Sequence, residues 1–262
     1  MRTPVGLDID GSVATVQLRD SAGRNSFSPR LCGDLVDAVD RAVATEHVRT
    51  LLVTGLPELF CSGGTKEELL RFARGEGRFD TDDFFRVFAR CPLPVVAAVR
   101  GHAIGGGLVM ALYADLVVLS ERSVYAANFM RYGFTPGMGA THLLPARLGH
   151  ELGVEMLYTA RNYRGAELRA RGVPLRVEPH DRVEPAAEEL ARSVAQAPRT
   201  SLELLKRELA AARMNSTTAA IDSEARMHET AFRLPEVRER ILGRYGPSPH
   251  LAAAHPRTTL EK

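Results

Sequence analysis

The sequence has few cysteines, and the three it contains are Cys32, Cys61 and Cys91. They are widely spaced and form no CxxC pair, which argues against a disulfide framework or a zinc site and favours reduced thiols in the cytoplasm. No apolar run reaches the roughly 18–20 residues of a membrane span. The N-terminus also lacks the pattern of a signal peptide. The sequence therefore predicts no metal site and no membrane association.

An excess of charge of either sign is also missing. The net charge is +2 at pH 7, from 34 basic and 32 acidic residues. Such a balance gives no reason to expect nucleic acid or an anionic membrane as a main partner. The hydrophobic content of 45% and the charged content of 25% are those of an ordinary soluble globular protein. A length of 262 residues is compatible with one large α/β domain or with a core domain and a helical appendage.

Lysine is scarce among the basic residues, since Lys66, Lys206 and Lys262 are the only lysines in the chain. Where arginine occupies almost every basic position, a lysine close to a candidate site is of interest. Lys66 is such a residue because it lies in the glycine-rich segment 60–68, which is a candidate ligand-binding loop. Its position beside Glu67 and Glu68 fits a solvated surface turn equally well.

The first two thirds of the chain have the patterns of an α/β protein. Alternating apolar residues over 5–18, around Asp10-Gly11, predict a β-hairpin. A helical pattern follows from Ser28 to Val43. Short apolar runs then alternate with helical patterns, which predicts a parallel sheet with crossover connections and ligand-binding loops at the strand ends. The predicted strands of this sheet are 50–54, 94–99 and 115–119.

Strand patterns disappear after about residue 185. Three helices are predicted there, at 185–195, 201–214 and 217–242. We expect two parts, a core over 1–184 and a C-terminal helical lobe over 185–245. The tail 246–262 contains several prolines and little to bury, so we expect it to be disordered or loosely docked.

Two glycine-rich segments follow predicted strands and enter helices. The first is 60–68, FCSGGTKEE, and the second is 101–107, GHAIGGG. Glycines let the backbone turn sharply and bring N–H groups against a ligand. A tight strand-to-helix turn explains either segment alone. The pair is more specific, because two such loops can direct two N–H groups at a single oxygen.

These two segments resemble the motifs Phe-x-Ala-Gly-Ala-Asp and Gly-x-Ala-x-Gly-Gly-Gly of the crotonase (enoyl-CoA hydratase/isomerase) superfamily. Residues 114–116 and 136–139 are also similar, so the resemblance covers nearly all of the chain. It implies the crotonase fold, an α/β structure with a parallel ββα spiral core and a C-terminal helical lobe, assembled as a homotrimer or a dimer of trimers. It further implies that the amides of Gly64 and Gly106 form an oxyanion hole for a thioester carbonyl. One such donor is typically worth about 10²–10³ in rate.

Two positions depart from the hydratases of this family. Those enzymes have one glutamate two residues after the glycine triplet and a second glutamate further along. The corresponding residues are Val109 and Phe129. Since adding water across a double bond requires a positioned base and acid, ordinary hydratase activity is not expected.

The segment 123–141 resembles the decarboxylating crotonases of polyketide β-branching cassettes, the second enoyl-CoA-hydratase-like enzyme of those pathways. Segments 163–165, 171–174 and 227–232 are similar to the same subgroup. This resemblance implies decarboxylation of a 3-methylglutaconyl-type group to a 3-methylcrotonyl-type thioester. The substrate would be tethered through the phosphopantetheine of an acyl carrier protein, with no metal or redox cofactor. The alternatives are a dehydratase or isomerase acting on the same intermediate, or a non-catalytic binding protein of this fold.

The subgroup also implies roles for single residues. It uses a histidine in the last helical region, which His228 matches, and a lysine after the first glycine-rich motif. Arg78 aligns with that lysine, while Lys66 lies nearer the motif, so both stay candidates for contacting the substrate carboxylate. Only lysine could also donate a proton, because arginine keeps its charge. The acyl pocket is expected to be lined by Tyr125, Asn128 and Phe129.

Each catalytic candidate also has a structural explanation. His228 shares a helix face with Ile221 and Ala225, so it fits a packed core histidine. Glu224, one turn earlier, is expected either to orient the imidazole or to point to solvent. Arg78 lies among other charged residues and fits a flexible charged loop.

Overall fold

The structure is a computed structural model that describes residues 3–76 and 83–245, so the predicted tail 246–262 lies outside it. Within those ranges ten strands form two sheets, and ten α-helices pack around them. None of these helices is both long and apolar enough to cross a membrane. The strands are β1 (Val5–Asp10), β2 (Val13–Leu18), β3 (Thr50–Thr54), β4 (Leu59–Cys61), β5 (Val95–Val99), β6 (His102–Ile104), β7 (Leu116–Ser120), β8 (Val124–Ala126), β9 (Tyr163–Arg164) and β10 (Arg176–Glu178).

The α-helices occupy the connections and the C-terminal region. Two short 3₁₀ helices matter for the site, one immediately before α3 and the other after β8. The first, Asp83–Arg86, leads into α3, and the second, Asn128–Tyr132, lies between β8 and α5. The helices are α1 (Pro29–Ala44), α2 (Lys66–Ala73), α3 (Val87–Arg90), α4 (Gly106–Leu112), α5 (Ala140–Leu148), α6 (His150–Thr159), α7 (Gly165–Ala170), α8 (Val183–Val194), α9 (Arg199–Ala231) and α10 (Pro235–Arg244).

The larger sheet has the strand order β1-β2-β3-β5-β7-β10. Strands β1 and β2 form the predicted hairpin, with Asp10 opposite Val13 and with Gly11 in the left-handed region at φ 56°. From β2 to β10 every neighbouring pair is parallel. The predicted parallel sheet is therefore confirmed, and β3, β5 and β7 begin and end within one residue of the predicted bounds, whereas β10 was not predicted.

Both faces of this sheet are buried at its central strands β3, β5 and β7, which explains why these strands are continuously apolar and do not alternate. One face, including Val53 and Val95, belongs to the main core. The other face, including Leu52 and Val96, packs with the alanine-rich side of α8 in a second core cluster. The small side chains of α8 let the helix lie close against the strands.

The smaller sheet contains β4, β6, β8 and β9, and its first three strands are parallel. Along the chain, β3, β5 and β7 of the larger sheet are each followed by one strand of the smaller sheet and then by a helical segment. This repeat is the ββα spiral, so the predicted crotonase fold is confirmed. Both glycine-rich segments begin in strands of the smaller sheet and end in helices.

Helix α1 begins as its sequence predicts. Ser28 is the N-cap, and its hydroxyl accepts a hydrogen bond from the N–H of Leu31 at 3.2 Å. Pro29 occupies the first turn, where its missing N–H costs no intrahelical bond. Leu31 and Leu35 are fully buried, which fixes the face that α1 turns to the core.

The C-terminal region differs from prediction in one respect. The predicted break between residues 214 and 217 is wrong, because α9 continues without interruption from Arg199 to Ala231. Thr217 is fully buried there, and its hydroxyl donates to the carbonyl of Arg213, so a residue of low helix propensity is accommodated within the helix. The break occurs instead at Leu234, immediately before Pro235.

The predicted division between a core and a helical lobe falls at residue 184/185, within the first turn of α8. Helix α8 packs on the larger sheet, whereas α9 packs on α5 and α3, and α10 packs on α2 and the 3₁₀ helix Asn128–Tyr132. The division into these two parts stays a prediction. What the packing shows is that α10 returns to the helix that follows the first glycine-rich segment.

Candidate active site

The first glycine-rich loop leaves β4 and turns at Gly63. Gly63 has φ 83°, a conformation that residues with a side chain rarely adopt. Its carbonyl accepts a hydrogen bond from the N–H of Phe27 at 2.9 Å, and it forms an isolated parallel bridge with Ser26. Since a peptide unit is planar and trans, anchoring the Gly63 carbonyl directs the N–H of Gly64 the opposite way.

The second loop is anchored in the same manner. Gly105 has φ 55°, and its carbonyl accepts hydrogen bonds from the N–H groups of Leu108 and Val109. The N–H of Gly106 belongs to the same peptide unit, and therefore projects from the N-terminus of α4. Neither Gly64 nor Gly106 donates its N–H to any residue that the structure describes. Both amides are available to a ligand.

The two loops touch each other. A Cβ atom added to Gly63 would lie 2.8 Å from the carbonyl oxygen of Ile104 and 3.1 Å from the nitrogen of Gly106. A Cβ atom added to Gly107 would lie 2.4 Å from the carbonyl oxygen of Cys61. These glycines are required because the backbones of the two loops approach too closely for any side chain. The two predicted oxyanion donors are thus brought together.

Gly106 is enclosed by two apolar side chains that sequence reasoning did not identify. A Cβ atom at Gly106 would lie 2.6 Å from a ring carbon of Phe27 and 2.8 Å from the sulfur of Met138. The hydroxyl of Tyr113 donates to the Met138 carbonyl at 2.7 Å, which fixes the segment that carries this methionine. These residues are far apart in sequence, and the resemblance of segment 136–139 to the family did not show that Met138 would contact Gly106.

A buried asparagine, also not identified from the sequence, supports the first loop. The amide of Asn25 donates to the carbonyls of Leu18 at 3.1 Å and Phe60 at 2.9 Å, while its oxygen accepts from the N–H of Asp20. It therefore fastens the end of β2 to β4. Cys61, next in the loop, is fully buried, and burial raises the pKa of its thiol to about 12. This thiol is a protonated donor to the Asn25 carbonyl and not a nucleophile.

The residues at the two hydratase glutamate positions are buried and apolar. Val109 has no exposed surface, and Phe129 is almost completely buried, with its ring edge-to-face against Phe134. Asn128 is half-buried, and its side-chain oxygen would lie 2.8 Å from a Cβ atom at Gly105. The amide of Asn128 therefore lies at the edge of the second loop, where a bound acyl group could reach it.

Tyr125, the third predicted pocket residue, has a structural set of contacts. It is fully buried, and its hydroxyl donates to the carbonyl of Val99 while accepting from the N–H of Ser120. Burial raises its pKa well above the ordinary tyrosine value, so the group stays neutral. These contacts connect the ends of β5 and β7 and give Tyr125 a packing role.

His228 lies in α9 and is 8% exposed. One ring nitrogen, Nε2, is 2.8 Å from the carbonyl oxygen of Thr135. Because a carbonyl only accepts, Nε2 must carry a proton. The ring also meets Phe232 edge-to-face. Thr135 begins the short segment that includes Met138, so this segment connects the histidine to the neighbourhood of Gly106.

The side chain of Glu224 is buried and does not point to solvent. It is 1% exposed, and its carboxylate accepts from the N–H of Gly139 at 2.7 Å and from the N–H and hydroxyl of Thr141. These groups form the N-terminus of α5, so the carboxylate caps that helix. Burial raises the pKa of Glu224, and these hydrogen bonds oppose the rise. Of the two alternatives left open for Glu224, exposure to solvent is therefore wrong.

Of the two candidate cations, the structure describes only Lys66. Lys66 begins α2, and its ammonium donates to the carbonyl of Leu242 in the last turn of α10 at 3.0 Å. A cation is favourable at that helix end because of the unpaired carbonyl groups there. Arg78 lies outside the residues that the structure describes.

A further residue at the site was not identified from the sequence. The hydroxyl of Tyr245 donates to the carbonyl of Gly64, and its ring lies 5.0 Å from the ring of Tyr132. Phe232 and Phe134 stack nearby at 4.8 Å. The C-terminal helices therefore contribute both a histidine and an aromatic wall beside the two glycine loops.

The arrangement can stabilise negative charge that develops on one oxygen. The N–H groups of Gly64 and Gly106 lie in two loops that contact each other, and the side chains nearby at Val109, Phe129 and Met138 are apolar. Hydrogen bonds to an oxyanion are strongest where water is excluded. Among the residues described, no cluster of histidine, cysteine or acidic side chains has the arrangement of a metal site.

Comparison with known proteins agrees with this geometry. Residues 8–245 match the family model for enoyl-CoA hydratase/isomerase. The chain is 44% identical to the bacillaene synthase decarboxylase PksI of Bacillus subtilis over 240 residues, which are 92% of this chain and 96% of that protein.

Solved structures of polyketide β-branching enzymes are also similar to this chain. A structure from a dehydratase/decarboxylase enzyme couple involved in polyketide β-branching has a TM-score of 0.90 and 44% identity, covering 93% of this chain and 99% of the other. The ECH2 decarboxylase domain of CurF from Lyngbya majuscula has a TM-score of 0.88 and 38% identity, covering 92% and 99%.

Proposed function

The chain belongs to the enoyl-CoA hydratase/isomerase family, and we propose that within it the protein is a decarboxylase of polyketide β-branching. Its substrate would be a 3-methylglutaconyl-type group on an acyl carrier protein, and its product a 3-methylcrotonyl-type thioester. Two of the similar proteins, PksI and the CurF domain, are decarboxylases, which supports the reaction class.

The observation that carries the proposal is the apolar character of the site around two free oxyanion donors. The hydratase glutamate positions hold Val109 and Phe129, both buried. Water addition needs a base and an acid at those positions, whereas decarboxylation needs only an electron sink and a proton donor. In this proposal the amides of Gly64 and Gly106 support the sink, and the two carboxylates are absent.

In the first step, the bond between the distal carboxylate and its carbon breaks and CO₂ leaves. The electron pair moves through the conjugated double bond onto the thioester oxygen, which gives a dienolate. The N–H groups of Gly64 and Gly106 would hold that oxygen, each being worth about 10²–10³ in rate. The apolar surroundings favour the delocalised anion over the localised carboxylate of the substrate.

In the second step, the dienolate accepts a proton at the carbon that lost CO₂, which gives the 3-methylcrotonyl product. We assign the role of proton donor to the imidazolium of His228. Its Nε2–H stays bonded to the Thr135 carbonyl and holds the ring in place. The donor must then be protonated again from solvent before the next turnover.

The carboxylate of the substrate needs a cationic contact before it leaves. The proposal keeps two residues for this role. Lys66 would have to exchange its bond with the Leu242 carbonyl for the substrate, whereas Arg78 would act as a permanently charged clamp. Asn128 and Phe129 are proposed to line the acyl pocket.

The proposal extends to the assembly and its surroundings. A homotrimer or dimer of trimers would cover the exposed leucines on α9, of which Leu205 is 57% and Leu209 62% exposed. The partner would be a carrier protein whose phosphopantetheine holds the substrate, with no metal or redox cofactor. We place the reaction in the cytoplasm.

The test is incubation of the purified protein with a 3-methylglutaconyl carrier protein, followed by intact mass measurement. Loss of the mass of CO₂ is the expected result. Loss of the mass of water from the 3-hydroxy-3-methylglutaryl precursor would assign a dehydratase instead. An unchanged carrier protein would favour a non-catalytic binding protein. Crotonyl-CoA serves as the control substrate, and it should not be hydrated.

A further inference from the structure

The hydroxyl of Tyr245 reaches the first oxyanion loop from the C-terminal end of α10. It donates to the carbonyl of Gly64, a residue 181 positions earlier in the chain. That carbonyl belongs to the peptide unit that follows Gly64, whereas the proposed oxyanion donor, the Gly64 N–H, belongs to the preceding unit. The bond from Tyr245 therefore acts on the far side of the Gly64 Cα atom.

Gly64 lies between Gly63, whose carbonyl accepts from Phe27, and Thr65, the N-cap of α2, but packing contributes little to fixing its own backbone. A Cβ atom there would have only ordinary contacts, 3.8 Å from two carbons of Leu69, and Gly64 lies outside the left-handed region. A glycine in open space has a soft backbone. The preceding peptide unit is held by the bond from the Phe27 N–H to the Gly63 carbonyl. The bond from Tyr245 holds the following unit, so both peptide units that flank the Gly64 Cα carry a hydrogen bond of their own.

We propose that Tyr245 is a positioning residue for the oxyanion hole, because its hydroxyl supplies the second anchor that sets the direction of the Gly64 N–H. The inference rests on the proposed function only in that a thioester carbonyl binds at Gly64. Tyr245 touches neither substrate nor reacting atoms, and it acts through the peptide unit of Gly64.

The surroundings of Tyr245 hold it for this role. Its ring packs against Tyr132, and α10 is buried through Val237 and Ile241. A Cβ atom at Gly133 would lie 3.2 Å from Val237, so α10 fits closely against the chain after the 3₁₀ helix. The bond from Lys66 to α10 joins the same helix to the start of α2. Burial raises the pKa of Tyr245 above the ordinary tyrosine value, and its hydroxyl therefore keeps the proton it donates.

The test compares two ligands that differ only in the carbonyl. Crotonyl-CoA has the thioester carbonyl, and the but-2-enyl thioether of CoA has a methylene group in its place. The ratio of their dissociation constants measures what the oxyanion hole contributes to binding. Tyr245→Phe keeps the ring and removes the hydroxyl, and Tyr132→Phe makes the same chemical change on the ring packed against it.

We expect Tyr245→Phe to lower the preference for the thioester by about three- to tenfold, the net worth of one hydrogen bond, and Tyr132→Phe to leave it unchanged. The carbonyl stretching frequency of bound crotonyl-CoA should also shift less in Tyr245→Phe than in the wild type, which a purely structural role would not produce.

An unchanged preference in Tyr245→Phe, or an equal fall in Tyr132→Phe, would overturn the proposal. A wild-type protein that does not distinguish the two ligands would overturn it as well. A wild type that prefers the thioester yet releases no CO₂ would refute the decarboxylase function alone.

Discussion

The two glycine-rich loops that carry the proposed oxyanion donors are built by opposite means. Gly106 is enclosed by the spiral core, where Phe27 and Met138 leave no room for even one methyl group. Gly64 has room, and its neighbouring peptide units are held by hydrogen bonds from Phe27 and Tyr245. One donor is positioned by packing and the other by bonds that include the C-terminal region. Mutations near Gly106 should therefore distort the site by steric clash, whereas mutations that remove a hydrogen bond near Gly64 should loosen it.

The C-terminal region also provides the proposed proton donor, His228. Replacing this residue should have the largest effect on the rate of decarboxylation. His228→Gln keeps much of the volume and one N–H for the Thr135 carbonyl, so the fold should be retained. The rate of CO₂ release or of product protonation should fall by about 10²–10⁴, the usual contribution of general acid–base catalysis. Single-turnover decarboxylation of the carrier-bound substrate, with thermal unfolding as the control, measures this. Wild-type turnover would show that His228 is a packed core residue.

On the core side, Gly106→Pro should cost about 10²–10³ in the same rate, because it removes one oxyanion N–H. Gly106→Ala is the matched control, since it adds the same Cβ atom near Phe27 but keeps the N–H. The difference between these two variants isolates the amide from the steric effect. A proline variant within about threefold of the alanine variant would exclude Gly106 as a donor.

The cap on α5 should matter for stability more than for chemistry. Glu224→Ala leaves the N–H groups of Gly139 and Thr141 without their acceptor, so the free energy of unfolding should fall by about 1–3 kcal/mol. Chemical denaturation measures the change. The control is Glu229→Ala, because Glu229 lies on the exposed side of α9, the helix that also carries Glu224. This variant should be nearly neutral in stability. Equal stability of the two variants would contradict the capping role.

The smallest effect is expected at Gly64. Gly64→Ala adds a Cβ atom that has only 3.8 Å contacts, so decarboxylation should stay within about threefold of wild type. Gly63→Ala, one residue earlier, should be much slower and less stable because of its φ of 83° and the 2.8 Å approach to the Ile104 carbonyl. If both variants behaved alike, the contrast between a packed loop and a bonded loop would be lost.

Local sequence signals predicted much of the fold. Alternation gave the hairpin, apolar runs gave β3, β5 and β7, and Ser28-Pro29 marked the start of α1. The three-residue strands β4, β6 and β8 went unpredicted because three residues cannot show a periodicity. The false break in α9 came from a polar stretch around Asn215, where Thr217 satisfies its own hydroxyl within the helix.

The site was predictable where a motif carried it and unpredictable where tertiary contact made it. Gly64, Gly106 and Asn128 could be named from motifs, and the structure places all three beside the same pair of loops. The contacts of Met138 and Tyr245 arise from residues distant in sequence, and no local pattern reports such pairs. Glu224 was misjudged because helix spacing gives the face of a side chain but not its partner.

The bond from Tyr245 to Gly64 also has a consequence for biosynthesis. Chains grow from the N-terminus, so both glycine loops and the two sheets leave the ribosome before α10 is made. A nascent or truncated chain that ends before residue 245 would contain the Gly106 donor in its packed position, while Gly64 would lack its second anchor. Full carbonyl binding would then require α10 and Tyr245, which are added to the chain after both loops have formed.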